Sequence, residues 1–301
     1  MAHVQANGIR IEFDDRGPRA GDVVVLIAGL GEQIGSVEFP DEFCAHLVDR
    51  GFRVIRMDNR DAGLSTGFDD HHVDLSAAFA ARAAGKTAAV PYTRIDMADD
   101  VAGLVDALGI KAAHLMGASM GGFIARLVTL RHAAKVRSLT LVMTGSGADP
   151  GDSEVVFHDD PERLRLLISM TEQLGERELA IARLVDVWRA MWGPGSPFEE
   201  TWIRARVTAA YERSYRPEGI ARQLAAGLAP TGLFAAQSRI TVPTVIIHGD
   251  CDRIVSVEHA HVTATAIPSA RLQVITGMGH EMAPQMWPQL IQSFLDVAQS
   301  S

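Results

Sequence analysis

The chain moves back and forth between two periodicities. Val23 to Ala28 is an unbroken aliphatic run that stops at Gly29-Leu30-Gly31, the pattern of a strand buried on both faces and then a tight turn. Before it, Ile9 to Phe13 alternates apolar and polar, as a half-exposed hairpin strand does. After it, Phe39, Phe43 and Leu47/Val48 recur at helical spacing as far as Gly51, which predicts a helix and its stop. Phe52 to Met57 predicts the next strand, which opens into a polar loop at Asp58. Thr93 and Asp96 have capping-box spacing ahead of a helix carrying Ile95, Ala98, Val101, Ala102, Val105 and Leu108 on one face. A strand over Ala112 to Met116, a helix over Met120 to Arg131 and a strand over Val136 to Met143 extend the alternation. Such alternation predicts an α/β fold: a mostly parallel sheet with helices on both faces.

The pattern then changes. From Ala148 to Arg239 the chain reads as helical without a convincing strand, and Gly193-Pro194-Gly195-Ser196-Pro197 interrupts it. Alternation resumes with a strand over Val242 to His248, a helix near Val257 to Ala266, a strand over Arg271 to Ile275 and a last helix from about Pro284. This predicts a catalytic core from residues 1–147 and 240–301, with residues 148–239 inserted as a helical cap. The cap would cover the carboxyl edge of the sheet, where open α/β sheets bind ligands. The stretch Phe68 to Tyr92 is long for a loop and predicts one extra helix beside the pocket.

Composition narrows the options. The 301 residues are 47% hydrophobic and 22% charged, enough to bury a sizeable core without disulfides or metals. No apolar run approaches the ~20 residues of a membrane helix, and Met1 to Asn7 lacks the charged-then-apolar layout of a secretion signal. Cys44 and Cys251 are too few for a disulfide framework, so a reducing cytoplasm is the expected location. A net charge of −9 argues against nucleic acid or an anionic membrane as the main partner and says little else; the expectation of a small-molecule partner comes from the motifs below. No pair of the 11 histidines has H-E-x-x-H spacing, and neither a metal nor a cofactor is expected.

Gly-x-Ser-x-Gly occurs twice, around Ser119 and around Ser65. A nucleophilic serine needs a sharp strand-to-helix turn that lifts its hydroxyl above the sheet. Ser119 has a strand before it and the apolar helix Phe123-Ile124-Ala125 after it, whereas Ser65 follows a loop and reads as a turn residue. The general base is expected at His280, in the glycine-rich turn after the last strand. His248 reads as packing, His71, His72, His158, His259 and His261 as surface, and His46, His114 and His132 as helix or strand faces. Asp252 is the expected partner of His280, with Asp250 as the fallback. Two backbone N–H groups, of Met120 and Leu30, are placed to hold an oxyanion. Gly29-Leu30-Gly31 is not a dinucleotide fingerprint, because Ile34 stands where its third glycine belongs.

Taken together, Gly29-Leu30-Gly31, Asp58-x-Arg60-x-x-Gly63-x-Ser65, Gly117-x-Ser119-Met120-Gly121-Gly122, His248-Gly249-x-x-Asp252 and Gly277-Met278-Gly279-His280 resemble the α/β-hydrolase superfamily. Pro40 to Phe43 and Val54 to Ser65 are similar to aclacinomycin methylesterases and related bacterial esterases and lipases. The resemblance implies hydrolysis of a carboxylic ester through an acyl-enzyme on Ser119, and it fades between Ala148 and Arg239. A cofactor-free perhydrolase of haloperoxidase type shares the same residues, and a non-catalytic ligand-binding protein can share the fold. Trp188, Trp192 and Trp202, with Phe157, Phe198, Tyr211, Tyr215 and Phe234, either line a pocket for a fairly apolar substrate or form the core of the cap itself.

Overall fold

Five consecutive buried residues, Val23-Val24-Val25-Leu26-Ile27, make a strand that can only sit in the middle of a sheet covered on both sides. The structure, a computed structural model, describes residues 1–148 and 161–300. The first half runs β1 (Ala2–Ala6), β2 (Ile9–Arg16), β3 (Val23–Ile27), α1 (Asp41–Val48), β4 (Arg53–Met57), α2 (Leu75–Ala83) and α3 (Arg94–Ala107). It continues with β5 (Ala113–Ala118), α4 (Met120–Arg131) and β6 (Val136–Val142). Helices α5 (Pro161–Ser169), α6 (Arg177–Met191), α7 (Glu200–Arg213), α8 (Pro217–Leu228) and α9 (Leu233–Ala236) follow. The chain closes with β7 (Thr244–Gly249), α10 (Glu258–Ala266), β8 (Ala270–Ile275) and α11 (Trp287–Ala298).

The strands form one sheet in the order β1-β2-β4-β3-β5-β6-β7-β8. β1 and β2 are antiparallel additions at one edge, and β3 through β8 are parallel. One face is sealed by α3, α4 and α10 through Val101, Leu104, Ile124, Val128 and Ala260. The other is sealed by α1 and α11 through Phe43, Leu47, Leu290, Ile291 and Phe294. Each such valine, leucine, isoleucine or phenylalanine, fully buried, contributes roughly 1.5–3 kcal/mol. The capping box at α3 is present, with the Thr93 N–H donating to Asp96 Oδ2 at 2.7 Å. No helix among the described residues is long and apolar enough to cross a membrane.

Several expectations need correction. β1 was not anticipated, because an exposed edge strand reading Ala-His-Val-Gln-Ala carries little hydrophobic pattern. Phe39 lies outside α1: Pro40 caps that helix, and Phe39 sits at φ 46° with its ring buried. His259 is buried rather than on the surface, with Nδ1 3.0 Å from Ser146 Oγ, and burial pushes its imidazole down to about 4. The last helix begins as a 3₁₀ turn over Pro284–Met286.

Between β6 and β7 the described residues form helices and no strand. Ile181, Val185, Trp188, Met191, Ile203 and Val207 give this block a hydrophobic cluster that also takes in Val37, Ile254 and Val255. α8 is fixed to the loop after β4 by charge. Arg222 makes a bidentate pair with Asp61, at 2.9 and 2.8 Å, with both side chains buried. Tyr92 Oη also donates to Asp61, at 2.7 Å. Removing one member of a buried pair strands the other. Arg222→Ala is therefore expected to cost about 3 kcal/mol in urea unfolding; a loss below about 1 kcal/mol, the worth of an exposed pair, would contradict this account of how α8 is anchored.

Candidate active site

β5 runs straight into α4, and the single residue between them, Ser119, takes the turn at φ 51°, ψ −118°. A non-glycine residue at positive φ is strained, and here the strain is held in place from both sides. Ser119 N–H donates to Val142 O at 2.9 Å, and Gly122 N–H donates back to Ser119 O at 3.1 Å. α4 lies so close to β3 that a methyl group on Gly121 would stand 1.9 Å from Ile27 O, so only glycine fits there. Ser119 is half-buried at the head of α4.

The turn after β8 brings His280 to this point. Its Nε2 is 2.9 Å from Ser119 Oγ and its Nδ1 is 2.7 Å from Asp252 Oδ2. Its backbone N–H donates to Met191 O at 2.9 Å. Asp252 lies in the loop after β7, and its Oδ1 accepts from the N–H groups of Ile254 and Val255, each at 2.8 Å. His248 Nε2 is 2.7 Å from Val255 O and 3.3 Å from Asp252 Oδ2. Burial alone would raise the Asp252 carboxyl, but His280 and His248 outweigh it and hold the carboxyl well below the usual carboxylate range. Asp252 is thus a fixed anion. It sets Nδ1 of His280 as donor and leaves Nε2 free to accept from the serine hydroxyl.

Asp250 does something different: its Oδ1 accepts from Gly277 N–H at 2.7 Å and closes the β7–β8 ends against each other. Ser65 is buried in the loop after β4, donating to Asp58 O at 2.7 Å and accepting from Glu12 N–H at 2.9 Å. Leu30 stands in the turn after β3 beside the serine: a methyl group on neighbouring Gly29 would meet Ser119 Cβ at 3.1 Å. The N–H groups of Leu30 and Met120 have no hydrogen-bond partner among the described residues. Among those residues no group of three or more His, Cys, Asp or Glu side chains could hold a metal ion.

Of the three tryptophans of the helical block, Trp188 reaches the wall of a cavity of about 60 Å³ that Gly31, Tyr211 and Tyr215 also line. Trp192 donates from Nε1 to Ser196 O at 3.2 Å and stacks edge-on against Phe198. Trp202 packs against Trp287 of α11. Both rings also pack against the core cluster that contains Met286, Trp287 and Leu290. Phe157 and His158 lie outside the described residues.

Glu38 and Glu281 were not foreseen. Glu38 Oε2 accepts from Gly29 N–H at 2.7 Å beside the serine. Burial, reinforced by Glu32, pushes its carboxyl up to about 8 against the opposing Gly29 N–H. Glu281 Oε2 accepts from Gly193 N–H at 3.0 Å, and Gly195 N–H donates to Gly277 O at 2.7 Å, so the Gly193–Ser196 break in the helical block is docked on the His280 turn. Burial, with some help from the Asp252 anion, raises the Glu281 carboxyl to about 7 despite the Gly193 and Gly279 amides. An acid at position 38, amid Val37 and Phe39, was the one visible signal.

The family model for the alpha/beta hydrolase fold matches residues 22–284. The chain is 31% identical over 280 residues to rhodomycin D methylesterase DnrP of Streptomyces peucetius, covering 88% of this chain and 87% of that protein. It is 30% identical over 279 residues to rhodomycin D methylesterase DauP of Streptomyces sp. strain C5, with the same coverage. An esterase from Exiguobacterium antarcticum has the same fold, with a TM-score of 0.75 at 22% identity over 99% of this chain and 98% of that one.

The folded protein keeps the Glu281 proton up to about pH 7, whereas a free glutamate holds it only to 4.5. Stability from that proton is full below 4.5 and is lost as pH rises toward 7. Glu281→Gln, neutral at every pH, escapes the loss. Its melting temperature relative to the parent is expected to climb across that window, and a constant difference would contradict a raised carboxyl.

Proposed function

The chain belongs to the alpha/beta hydrolase fold family, and from that premise we propose that it is a serine esterase working through an acyl-enzyme on Ser119. The observation that carries this reading is the unbroken line from Ser119 Oγ through His280 to the Asp252 carboxylate, at 2.9 and 2.7 Å. As Ser119 Oγ attacks the ester carbonyl, its proton passes to His280 Nε2, and the imidazolium is stabilised by Asp252. The carbonyl oxygen, now an anion, is held by the N–H groups of Leu30 and Met120. Collapse expels the alcohol, which takes the proton from His280, and leaves the acyl group on Ser119. Water, deprotonated by His280, then attacks that ester, and as the acid is released Ser119 Oγ takes the proton back from His280.

In this reading residues 148–239 serve as the cap and choose the substrate. The relatives DnrP and DauP are named as rhodomycin D methylesterases, which supports a methyl ester as the substrate here, and the aromatic residues of the helical block suit a fairly apolar one. Trp188, Tyr211 and Tyr215 line a cavity that reaches Gly31, the residue after Leu30, and in this reading they meet the apolar part of the substrate. Trp192 and Trp202 would shape the pocket from behind.

A panel of methyl and p-nitrophenyl esters of graded acyl size tests the proposal. Hydrolysis should be measurable with the parent protein, and Ser119→Ala should lower kcat by about 10⁴-fold or more. Ester hydrolysis surviving in that variant at more than about a tenth of the parental rate would overturn the assignment.

A further inference from the structure

The turn that carries Leu30 is tied down on both sides of that residue. Gly29 N–H donates to Glu38 Oε2 at 2.7 Å, and Gly31 N–H donates to Gln223 Oε1 at 2.9 Å. Between them the Leu30 N–H has no partner among the described residues. Neither acceptor is local. Glu38 lies nine residues along the loop, and Gln223 comes from α8, 192 residues away in the chain. Both side chains are buried, with Gln223 at 0% exposure.

Gln223 cannot turn over without loss. Its Nε2 donates to Arg60 O at 2.7 Å, so its oxygen must face Gly31. α8 itself is held by the Arg222–Asp61 pair, and the Ile220 side chain fills the space above Gly31, 2.8 Å from where a methyl group there would sit. Gly31, at φ 71°, gives the turn its sharp bend. The peptide unit joining Gly29 to Leu30 is thus suspended between two neighbours that are each anchored by a buried side chain.

We infer that Glu38 and Gln223 are positioning residues, which aim the Leu30 N–H at the developing oxyanion by holding the amides on either side of it. α8 thereby carries part of the reaction geometry, and the helical block is a structural component of the site as well as a cover for it. The inference rests on the serine-esterase reading above. It also accounts for a buried acid beside the nucleophile, since a methyl group on Gly29 would meet Glu38 Oε1 at 2.8 Å and Ser119 Cβ at 3.1 Å. A charge there would oppose the oxyanion. Burial and Glu32 keep Glu38 protonated at neutral pH, so it accepts from Gly29 without bringing a negative charge, and glutamine is its near-isostere.

The test compares Glu38→Ala, Glu38→Gln, Gln223→Ala and Ser119→Ala in the full chain, by ester kinetics, thermal melting and binding of a trifluoromethyl ketone. The adduct of that inhibitor with Ser119 carries the oxyanion. A donor displaced by about 1 Å costs up to roughly 100-fold in rate, and a donor removed costs roughly 100- to 1,000-fold. Both alanine variants should therefore lose about 10- to 100-fold in kcat. Inhibitor binding should weaken by a matching factor with little change in KM, and Glu38→Gln should recover most of the loss. Unchanged kcat in both alanine variants, a loss confined to KM, or a glutamine variant no better than alanine would overturn the inference. If Glu38→Ala does not fold, Gln223→Ala decides by the same measures. Parental hydrolysis that survives Ser119→Ala would instead overturn the serine-esterase reading itself.

Discussion

Ser119 is held at φ 51°, ψ −118° because α4 packs directly on the end of β3, with Gly121 against Ile27 O. A backbone of that shape costs of order 1–3 kcal/mol and persists only where its surroundings leave no alternative. Here they leave none: β5 and β6 fix one side of the turn through the Ser119–Val142 hydrogen bond, and the helix fixes the other. The same close approach sets the Leu30 turn beside the serine, since the turn is the continuation of β3. His280 and Asp252 then need only short loops after β8 and β7, the last two strands of the sheet, to reach the serine.

The electrostatics beside Ser119 follow from how each buried carboxyl is solvated. Asp252 is an anion because two backbone amides and two histidines solvate it in place of water. Glu38 and Glu281 have fewer donors, and burial raises both carboxyls: Glu38, with one amide and a second acid beside it, to about 8, and Glu281, facing two amides and the Asp252 charge, to about 7. Asp252 polarises the imidazole along the line from Nδ1 to Nε2, toward Ser119 Oγ. That is the condition a histidine base requires.

Much of this was legible in the residues. β3, β5 and β7 are apolar runs because both faces of the sheet are covered, and the Ser119 segment differed from the Ser65 segment in having a strand before it and an apolar helix after it. Asp252 could be preferred to Asp250 because a turn opening at Gly249 brings the later residue round; Asp250 instead braces Gly277. What could not be read has physical reasons. β1 is an exposed edge strand with no hydrophobic stripe, and His259 is buried by the packing of its helix despite polar neighbours. The Gln223–Gly31 hydrogen bond leaves no periodicity at all, because its partners meet only when α8 docks. Trp192 and Trp202 match pocket lining and core packing equally well by composition, and only their contacts with Phe198 and Trp287 separate the two.

The central claim is that one strained serine, and not its sequence look-alike, is the nucleophile. Treating the native protein with a fluorophosphonate ester and mapping the adduct by peptide mass spectrometry tests it most directly. The account predicts a single adduct, on the peptide containing Ser119, formed at the same rate at which ester hydrolysis is lost. An adduct on Ser65 or elsewhere, or full inactivation without modification of Ser119, would contradict it.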